Sequence, residues 1–158
     1  MASLKKPKIA VVGATGNVGR EVLDIIDEKE IQCSDLVALA SSRSKGSTID
    51  FGENKSITVG DLAEYDFSDT DIAIFSPGAK ISSEFAPKAA KKGCIVIDNT
   101  SHFRTDPDVP LVIAEVNPEA LKNFRNKNII SNPNCSTMGM LVAVKPLHEQ
   151  FKVKRIVV

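Results

Sequence analysis

The sequence contains no tryptophan, one tyrosine and only three cysteines. The cysteine number is odd and no Cys-x-x-Cys pair occurs, which argues against a disulfide framework and against a zinc site. No apolar run approaches the ~20 residues that a membrane-spanning helix needs. Near the N-terminus the apolar run covers only residues 9–12, too short for the apolar region of a secretory signal peptide. We therefore predict a cytoplasmic protein without a metal site.

The sequence also lacks an excess of charge of either sign, since Lys and Arg together number 20 and so do Asp and Glu. This balance gives no electrostatic footprint for nucleic acid or for an anionic membrane surface, and we expect neither partner. The chain has 158 residues, of which 42% are hydrophobic. That is enough for one domain with a packed core.

Short apolar runs rich in Val and Ile alternate with segments of helical periodicity. We predict strands at residues 8–13, 35–41, 56–59 (at an edge or in an excursion), 71–76, 94–99, 128–132 and 153–158. We predict helices at residues 17–29, near 80–92 and from 136 onward, the last kinked or ended by Pro146. The alternation predicts an α/β fold with a doubly wound, mostly parallel sheet. Because the chain ends on an apolar run without a turn signal, we expect the natural protein to continue beyond it.

A glycine-rich loop, VVGATGNVG, connects the first predicted strand to the first predicted helix. It places Gly13, Gly16 and Gly19 one residue wider at the first gap than the G-x-G-x-x-G fingerprint of dinucleotide-binding proteins. Glycine lets the backbone approach a ligand closely, and a helix N-terminus offers free N–H groups to a pyrophosphate. The alternative is a turn that merely packs the helix on the sheet. The position at the start of a βαβ unit favours nucleotide binding.

The end of the second predicted strand bears on the choice of nucleotide. An NAD site usually carries Asp or Glu there, but Asp35 lies at the wrong end of this strand. The positions hold hydroxyls and cations instead: Ser41, Ser42, Arg43, Ser44 and Lys45. Hydroxyl and guanidinium groups suit a 2′-phosphate, whereas the alternative is a solvated polar loop. We predict NADP(H) rather than NAD(H) as the cofactor.

Cys135 follows Asn-Pro-Asn and stands where a helix should begin. The free N–H groups and the dipole of a helix N-terminus stabilise a thiolate. A structural thiol would more naturally lie within a strand, as Cys94 does. Position alone leaves a nucleophile and a core thiol equally open. A nearby pyridine nucleotide favours the nucleophile, because a thiolate and a nicotinamide together suit the oxidation of an aldehyde through a thiohemiacetal and a thioester.

Five segments occur in order along the chain: VGATGNVG, SSRSKG, IDNTSHFR, PLVIAEVNP and NPNCST. Together they resemble the aspartate-semialdehyde dehydrogenases over essentially the whole chain, and NPNCST is the most specific of them. The N-acetyl-glutamyl-phosphate reductases are the alternative family, although they carry Gly-Cys where this chain has Asn-Cys. A stand-alone NADP-binding module without catalysis is the alternative from another functional class.

The resemblance implies a reaction and a division of the chain. The reaction is the NADPH-dependent reductive dephosphorylation of L-aspartyl 4-phosphate to aspartate semialdehyde, in the synthesis of lysine, threonine, methionine and diaminopimelate. The division is a Rossmann-like NADP-binding domain, residues 1–134, and the start of a catalytic and dimerisation domain, residues 135–158. The family's substrate domain, with its catalytic Gln and His, matches no part of this chain. The full-length enzyme is expected to be a homo-oligomer.

The resemblance also implies roles for single residues. Cys135 would be the acyl-thioester nucleophile and Asn134 would position the substrate. Arg104 would bind the substrate phosphate with Asn99 nearby, although the residues alone favour a surface Arg104 paired with Asp106 or Asp108. His102 and His148 do not match the family's catalytic histidine. The cofactor would lie against Gly13, Thr15, Gly16, Asn17, Val18, Gly19, Ser41, Ser42, Arg43, Ser44, Ser76 and Gly78.

Overall fold

A computed structural model describes residues 6–158, so the first five residues of the predicted domain 1–134 lie outside the described part. Its strands are β1 (Lys8–Val12), β2 (Asp35–Ala40), β3 (Thr48–Phe51), β4 (Lys55–Asp61), β5 (Ile72–Phe75), β6 (Ile95–Asp98) and β7 (Ile129–Ser131). Its α-helices are α1 (Asn17–Glu28), α2 (Ala79–Lys91) and α3 (Cys135–Phe151). The strands form one sheet in the order β3-β4-β2-β1-β5-β6-β7. Every pairing except β3–β4 is parallel, which confirms the predicted fold class.

Both faces of the sheet are covered, which explains why β1 is apolar throughout. Val11 packs in one cluster with Leu23 of α1, whereas Val12 packs in another with Ala86 of α2. In α1 the buried residues recur at helical spacing, so one stripe of the helix faces the sheet. In α2 the buried stripe consists of small residues: Ser82, Ala86, Ala89 and Ala90. Helices on both faces are the arrangement expected of a doubly wound fold.

The strand order reverses at the centre of the sheet, where β1 pairs with β2 on one side and with β5 on the other. Parallel strands place their carboxyl ends at one edge, and ligands of open α/β sheets bind in the crevice at such a reversal. The loops that follow β1 and β5 meet there, because the Ser76 N–H donates to the Val12 carbonyl at 2.9 Å. Some of the predicted cofactor-binding residues lie at this crevice.

The segment predicted as a strand at residues 56–59 belongs to the longer strand β4. We expected it at an edge or in an excursion, but β4 pairs with β2 and the edge is formed by β3, which the sequence did not predict. A tight turn joins β3 and β4, with positive φ at Gly52 (+53°) and Asn54 (+60°). Asn and Gly tolerate that conformation, so the polar stretch between the two strands is a hairpin turn rather than an excursion.

The predicted strand at residues 153–158 is wrong, because these residues form no regular structure. A strand needs a neighbour that accepts its backbone hydrogen bonds. The outer edge of β7 is already occupied, since Ser131 exchanges backbone hydrogen bonds with Pro110 and Val112 at 2.9 Å each. Of the two effects expected of Pro146, it does not end helix α3, which continues to Phe151.

Candidate active site

The three glycines of the loop after β1 are held in different ways. Gly13 has φ +84°, and a Cβ there would lie 2.9 Å from the Pro77 backbone. A Cβ on Gly19 would lie 2.3 Å from the Gly13 carbonyl oxygen. Gly16 is different, because its Cβ would meet only one atom within 4 Å, at 3.4 Å. The first and third glycines therefore serve packing, and the middle one leaves open space above the loop.

Helix α1 begins directly at this open space. Gly16 is its N-cap and no side chain caps it. The first N–H groups of a helix have no partner within the helix, so they are available to an anion. Asn17 and Val18, the first two residues of α1, are exposed.

A cavity of about 420 Å³ lies between this loop and the neighbouring strand ends. Its volume is in the usual range of small-molecule sites. The lining residues are Gly13, Thr15, Gly16, Ala40, Ser41, Ser42, Asp61, Leu62, Ala63, Ser76, Pro77, Ile81 and Phe85. Five of the residues predicted to contact a cofactor besides Gly13 are thus brought to one cavity: Thr15, Gly16, Ser41, Ser42 and Ser76. Asn17, Val18, Gly19, Arg43, Ser44 and Gly78 do not line it.

The turn after β2 carries two cationic side chains, of which one forms an ion pair and the other does not. Residues Ser42–Ser44 form a single turn of 3₁₀ helix. The Lys45 ammonium contacts the Glu64 carboxylate at 2.5 Å. The Arg43 side chain is exposed and makes no hydrogen bond or ion pair with any residue from 6 to 158. Arg43 is therefore the cation of this turn that remains available to a ligand.

An acidic residue that the sequence analysis missed also lines the cavity. Asp61 ends β4 beside Ala40, the last residue of β2, and is 8% exposed. Hydrogen bonds from the Ser42 hydroxyl and the Ala63 N–H hold the pKa of this carboxyl below its ordinary value. An acid is expected at the end of β2 in an NAD site, but that end of β2 carries none. The pairing of β4 with β2 supplies one from the next strand in space.

A second cluster lies after β6 and β7. The Arg104 Nε donates to the Asn132 carbonyl at 2.9 Å, and its Nη2 donates to the Asn99 carbonyl at 3.0 Å. The expectation from the residues alone, that Arg104 pairs with Asp106 or Asp108, is wrong, because those acids pair with Lys127 instead. A guanidinium has five N–H groups. Three of those of Arg104 remain for an anion.

Asn132 is a second residue that the sequence analysis missed. Its side-chain amide donates to the Asn99 side-chain oxygen at 2.6 Å, and its backbone N–H donates to the Asp98 carbonyl at 2.8 Å. The two loops that hold Arg104 are therefore also tied to each other. Asn132 precedes Cys135 by three residues, so the same contacts hold the approach to the cysteine.

A buried carboxylate supports this cluster from below. Asp98 is fully buried and accepts hydrogen bonds from the Ser82 hydroxyl at 2.7 Å and from the Thr100 hydroxyl at 2.8 Å. It also accepts the Thr100 N–H at 3.1 Å. Buried polar groups need such partners. Asp98 thereby joins α2 to the start of the loop that carries Asn99 and Arg104.

Cys135 is the first residue of α3, and its side chain is exposed. The Asn134 side chain caps the helix by accepting the Ser136 N–H at 3.0 Å. The Cys135 Sγ lies 3.9 Å from the same Asn134 oxygen. An exposed sulfur at a helix N-terminus has the setting of a reactive thiol.

The other two cysteines have different surroundings. Cys94 is fully buried, and desolvation, followed by the negative charge of Asp71, raises the pKa of its thiol to about 12. The core role predicted for Cys94 is thus confirmed. Cys33 is half-buried, and none of the three forms a disulfide. Among residues 6–158 no helix is long and apolar enough to cross a membrane, and no cluster of His, Cys, Asp and Glu is arranged to hold a metal.

A known protein family matches most of the chain. The family described as "Semialdehyde dehydrogenase, NAD binding domain" matches residues 8–124. The chain belongs to the semialdehyde dehydrogenase family. Two curated relatives within that family are an aspartate-semialdehyde dehydrogenase of Shewanella sp. (strain DB6705) and aspartate-semialdehyde dehydrogenase 2 of Vibrio cholerae. Each is 51% identical over 148 residues, which cover 94% of this chain and 44% of the relative.

Solved structures extend the likeness of this semialdehyde dehydrogenase chain to three dimensions. The aspartate semialdehyde dehydrogenase II of Vibrio cholerae in complex with ASA superposes with a TM-score of 0.87 at 50% identity, covering 92% of this chain and 47% of that one. The aspartate semialdehyde dehydrogenase of Candida albicans with NADP gives a TM-score of 0.73 at 26% identity, covering 94% and 48%. The chain thus spans less than half the length of these relatives.

Proposed function

We propose that this chain is the cofactor-binding and nucleophile-bearing part of an aspartate-semialdehyde dehydrogenase that reductively dephosphorylates L-aspartyl 4-phosphate in amino-acid biosynthesis. The observation that carries the proposal is the arrangement of Cys135 and Arg104 on loops tied together at the carboxyl edge of the sheet. The same edge holds the cavity beside the glycine loop. The relatives named above support this reaction rather than that of another semialdehyde dehydrogenase.

In this mechanism the Cys135 sulfur attacks the acyl carbon of the substrate. A C–S bond forms and the C–O bond to phosphate breaks, so that a thioester and inorganic phosphate result. The free N–H groups of Arg104 would bind the departing phosphate, because two of its other N–H groups already fix the guanidinium to backbone carbonyls. The Asn134 side-chain oxygen accepts the Ser136 N–H, which leaves its amide N–H groups for the substrate.

The residues around the cavity fit NADP(H). Open space above Gly16 and the uncapped start of α1 suit a pyrophosphate, and Gly78, whose Cβ would meet nothing within 4 Å, leaves room beside α2. When bound, NADPH supplies the hydride that reduces the thioester carbonyl to the aldehyde. The Cys135 sulfur then leaves as the thiolate. The 2′-phosphate would lie at the turn that carries Ser41, Arg43 and Ser44.

Cofactor selectivity tests this assignment when the two cationic residues of the turn after β2, Arg43 and Lys45, are substituted one at a time. We expect the chain to bind NADP(H) more tightly than NAD(H), and Arg43→Ala to weaken NADP(H) roughly 10- to 100-fold, because a hydrogen bond to a charged group contributes ~1.5–3 kcal/mol. NAD(H) affinity should stay within about twofold, since only NADP(H) has the 2′-phosphate. Lys45→Ala is the matched control, because Lys45 is paired with Glu64. Isothermal titration calorimetry measures the affinities of all three proteins for both cofactors, and equal affinity of the unmodified chain for NADP(H) and NAD(H) would contradict the assignment.

We further propose that the cofactor domain ends at residue 134 and that α3 begins the catalytic and dimerisation domain. No residue of α3 is buried, although Leu147 and Phe151 are apolar and 52% and 75% exposed. An apolar surface of this kind favours contact with further protein, in agreement with a homo-oligomeric full-length enzyme. The free thiols agree with a reducing, cytoplasmic location.

A hybrid enzyme tests the reaction itself. The chain is joined in frame to the second half of the Vibrio cholerae aspartate-semialdehyde dehydrogenase 2, its 51% identical relative. We expect NADPH formation from aspartate semialdehyde, phosphate and NADP. Cys135→Ser should abolish it while leaving NADP binding unchanged. A Cys135→Ser hybrid that stays active would refute the role of this sulfur.

A further inference from the structure

Two backbone carbonyls hold the Arg104 guanidinium, and both are linked to Asp98. The Asn99 carbonyl accepts a hydrogen bond from the Arg104 Nη2 at 3.0 Å, and the Asn132 carbonyl accepts one from the Nε at 2.9 Å. Asn99 directly follows Asp98 in the chain. The Asn132 N–H donates to the Asp98 carbonyl at 2.8 Å. The residues that anchor Arg104 on its two sides are therefore both attached to Asp98.

The Asp98 side chain fixes the direction of the Asn99 carbonyl. That carbonyl and the Thr100 N–H belong to one peptide group. The N–H donates to the Asp98 Oδ1 at 3.1 Å, whereas the carbonyl accepts from Arg104. Because a peptide group is planar, an N–H held by Asp98 also determines where the carbonyl points. The Thr100 hydroxyl donates to the other carboxylate oxygen, Oδ2, at 2.8 Å and holds the same residue a second time.

The carboxylate is itself held by α2. The Asp98 Oδ1 also accepts the Ser82 hydroxyl at 2.7 Å, and both residues are fully buried. Towards the loop, the His102 N–H donates to the Thr100 hydroxyl oxygen at 3.4 Å. Within the described part of the chain, every hydrogen bond of residues 100–102 thus leads back to Asp98. This carboxylate is the polar link between α2 and the loop that carries Arg104.

We propose that Asp98 is a positioning residue for the phosphate of the reaction, because it orients the peptide group between Asn99 and Thr100 that holds the Arg104 guanidinium. This inference rests on the proposed function, in which the remaining N–H groups of Arg104 bind the phosphate. Asp98 is fully buried and acts only through Arg104.

The reaction in the direction that consumes phosphate has two steps that depend differently on Arg104. In the first, the Cys135 sulfur adds to the aldehyde carbon and hydride passes to NADP, which leaves a thioester and NADPH. In the second, a phosphate oxygen attacks the thioester carbon, the C–S bond breaks and the Cys135 sulfur leaves as the thiolate. Phosphate takes part only in the second step. Only that step should therefore respond to the position of Arg104.

Removal of either hydroxyl that donates to Asp98 tests the inference in the hybrid enzyme. Ser82→Ala and Thr100→Val should each lower kcat/KM for phosphate roughly three- to tenfold, the scale of one lost hydrogen bond. The rate of NADPH formation in a single turnover without phosphate should stay within about twofold, which a general structural defect would not allow. Thr100→Ser keeps the hydroxyl and should keep the phosphate kinetics of the unmodified hybrid.

Ser131 provides the matched control. It lies in register with Asp98 in the sheet and is fully buried. Its hydroxyl has no hydrogen-bond partner among residues 6–158. Ser131→Ala therefore removes a buried hydroxyl beside Asp98 without breaking a hydrogen bond, and both rates should stay within about twofold.

A double-mutant cycle shows whether the effect passes through Arg104. Arg104→Ala alone should lower kcat/KM for phosphate roughly 10- to 100-fold, the scale of a hydrogen bond between charged groups. If Asp98 acts by positioning Arg104, Ser82→Ala should cause no further loss once Arg104 is alanine. Calorimetric titration with NADP reports whether each variant remains folded.

The contrary results are distinct. Equal slowing of both steps, or loss of NADP binding, in Ser82→Ala and Thr100→Val would mean that Asp98 supports the fold in general. Unchanged phosphate kinetics in both variants would mean that Arg104 does not depend on Asp98. Additive losses in the double variant would mean that the effect bypasses Arg104. Each of these results overturns the inference and leaves the proposed function intact, whereas an unmodified hybrid that forms no NADPH would refute the proposed function.

Discussion

Iodoacetamide at neutral pH should modify Cys135 at least ~100-fold faster than Cys94. Cys94 is fully buried, with a thiol pKa raised to about 12 by desolvation. At neutral pH such a thiol is ionised about 3,000-fold less often than an ordinary exposed one, and its higher intrinsic nucleophilicity recovers a factor of only about 30. Cys135 is exposed at the start of α3, so access does not limit its rate. Peptide mapping by mass spectrometry at limiting reagent measures both rates.

Cys33 and a denatured sample provide the comparisons. Cys33 is half-buried and is not placed at a helix start, so it should react more slowly than Cys135 and faster than Cys94. In denaturant the three thiols should react at similar rates. A folded chain, verified by circular dichroism, in which Cys94 is labelled first would remove the physical basis for Cys135 as the nucleophile.

The 158-residue chain by itself should turn over aspartate semialdehyde at least ~10²–10⁴ times more slowly than the hybrid enzyme, the usual contribution of a general acid or base. Neither His102 nor His148 matches the catalytic histidine of the family that the chain resembles. His148 lies 13 positions further along α3, about 20 Å away at the rise of an α-helix. The His102 ring packs edge-on against Phe103, with ring centroids 4.6 Å apart. NADPH formation, followed by its absorbance, compares the two proteins.

Cofactor binding distinguishes this result from simple unfolding. The isolated chain should retain the NADP(H) affinity of the hybrid, because the cavity lies among its own residues. His102→Ala should leave the activity of the hybrid within about twofold. Turnover by the isolated chain near that of the hybrid would show that the proton-transfer groups are complete within these 158 residues.

Features that depend on residues adjacent in the sequence were predicted correctly. Strand β1 is continuously apolar because both of its faces are buried. This pattern can be recognised without knowing which strands pair with β1. The glycine loop follows it directly, so the position of the cavity followed from adjacent residues. Cys135 was placed at a helix start for the same reason, since the Asn134 cap and the helix are contiguous in sequence.

Features that depend on distant pairing were missed. Asp61 reaches the cavity only because β4 pairs with β2, although 20 residues separate its position from Ser41. Arg104 donates to the Asn132 carbonyl of another loop. The acids that the sequence suggested as partners of Arg104 form ion pairs with Lys127 instead. The run at 153–158 has the composition of a strand, but the edge of β7 is already occupied by the segment at Pro110 and Val112. In each case the residue types indicated a possible interaction, but the pairing of the strands determined which residues lie close enough to interact.

The three glycines of the loop after β1 are packed differently. The glycine motif therefore combines two separate properties, the docking of α1 and the space for a ligand. A methyl group at Gly19 would collide with the loop backbone, so that position reports on the docking of α1 against β1. A methyl group at Gly16 would occupy open space where a phosphate is expected, without touching the core. Natural variation at these two positions therefore carries different information. A homologue that lacks the third glycine has altered its scaffold, whereas one that has replaced only the middle glycine has kept the scaffold and changed or lost its ligand.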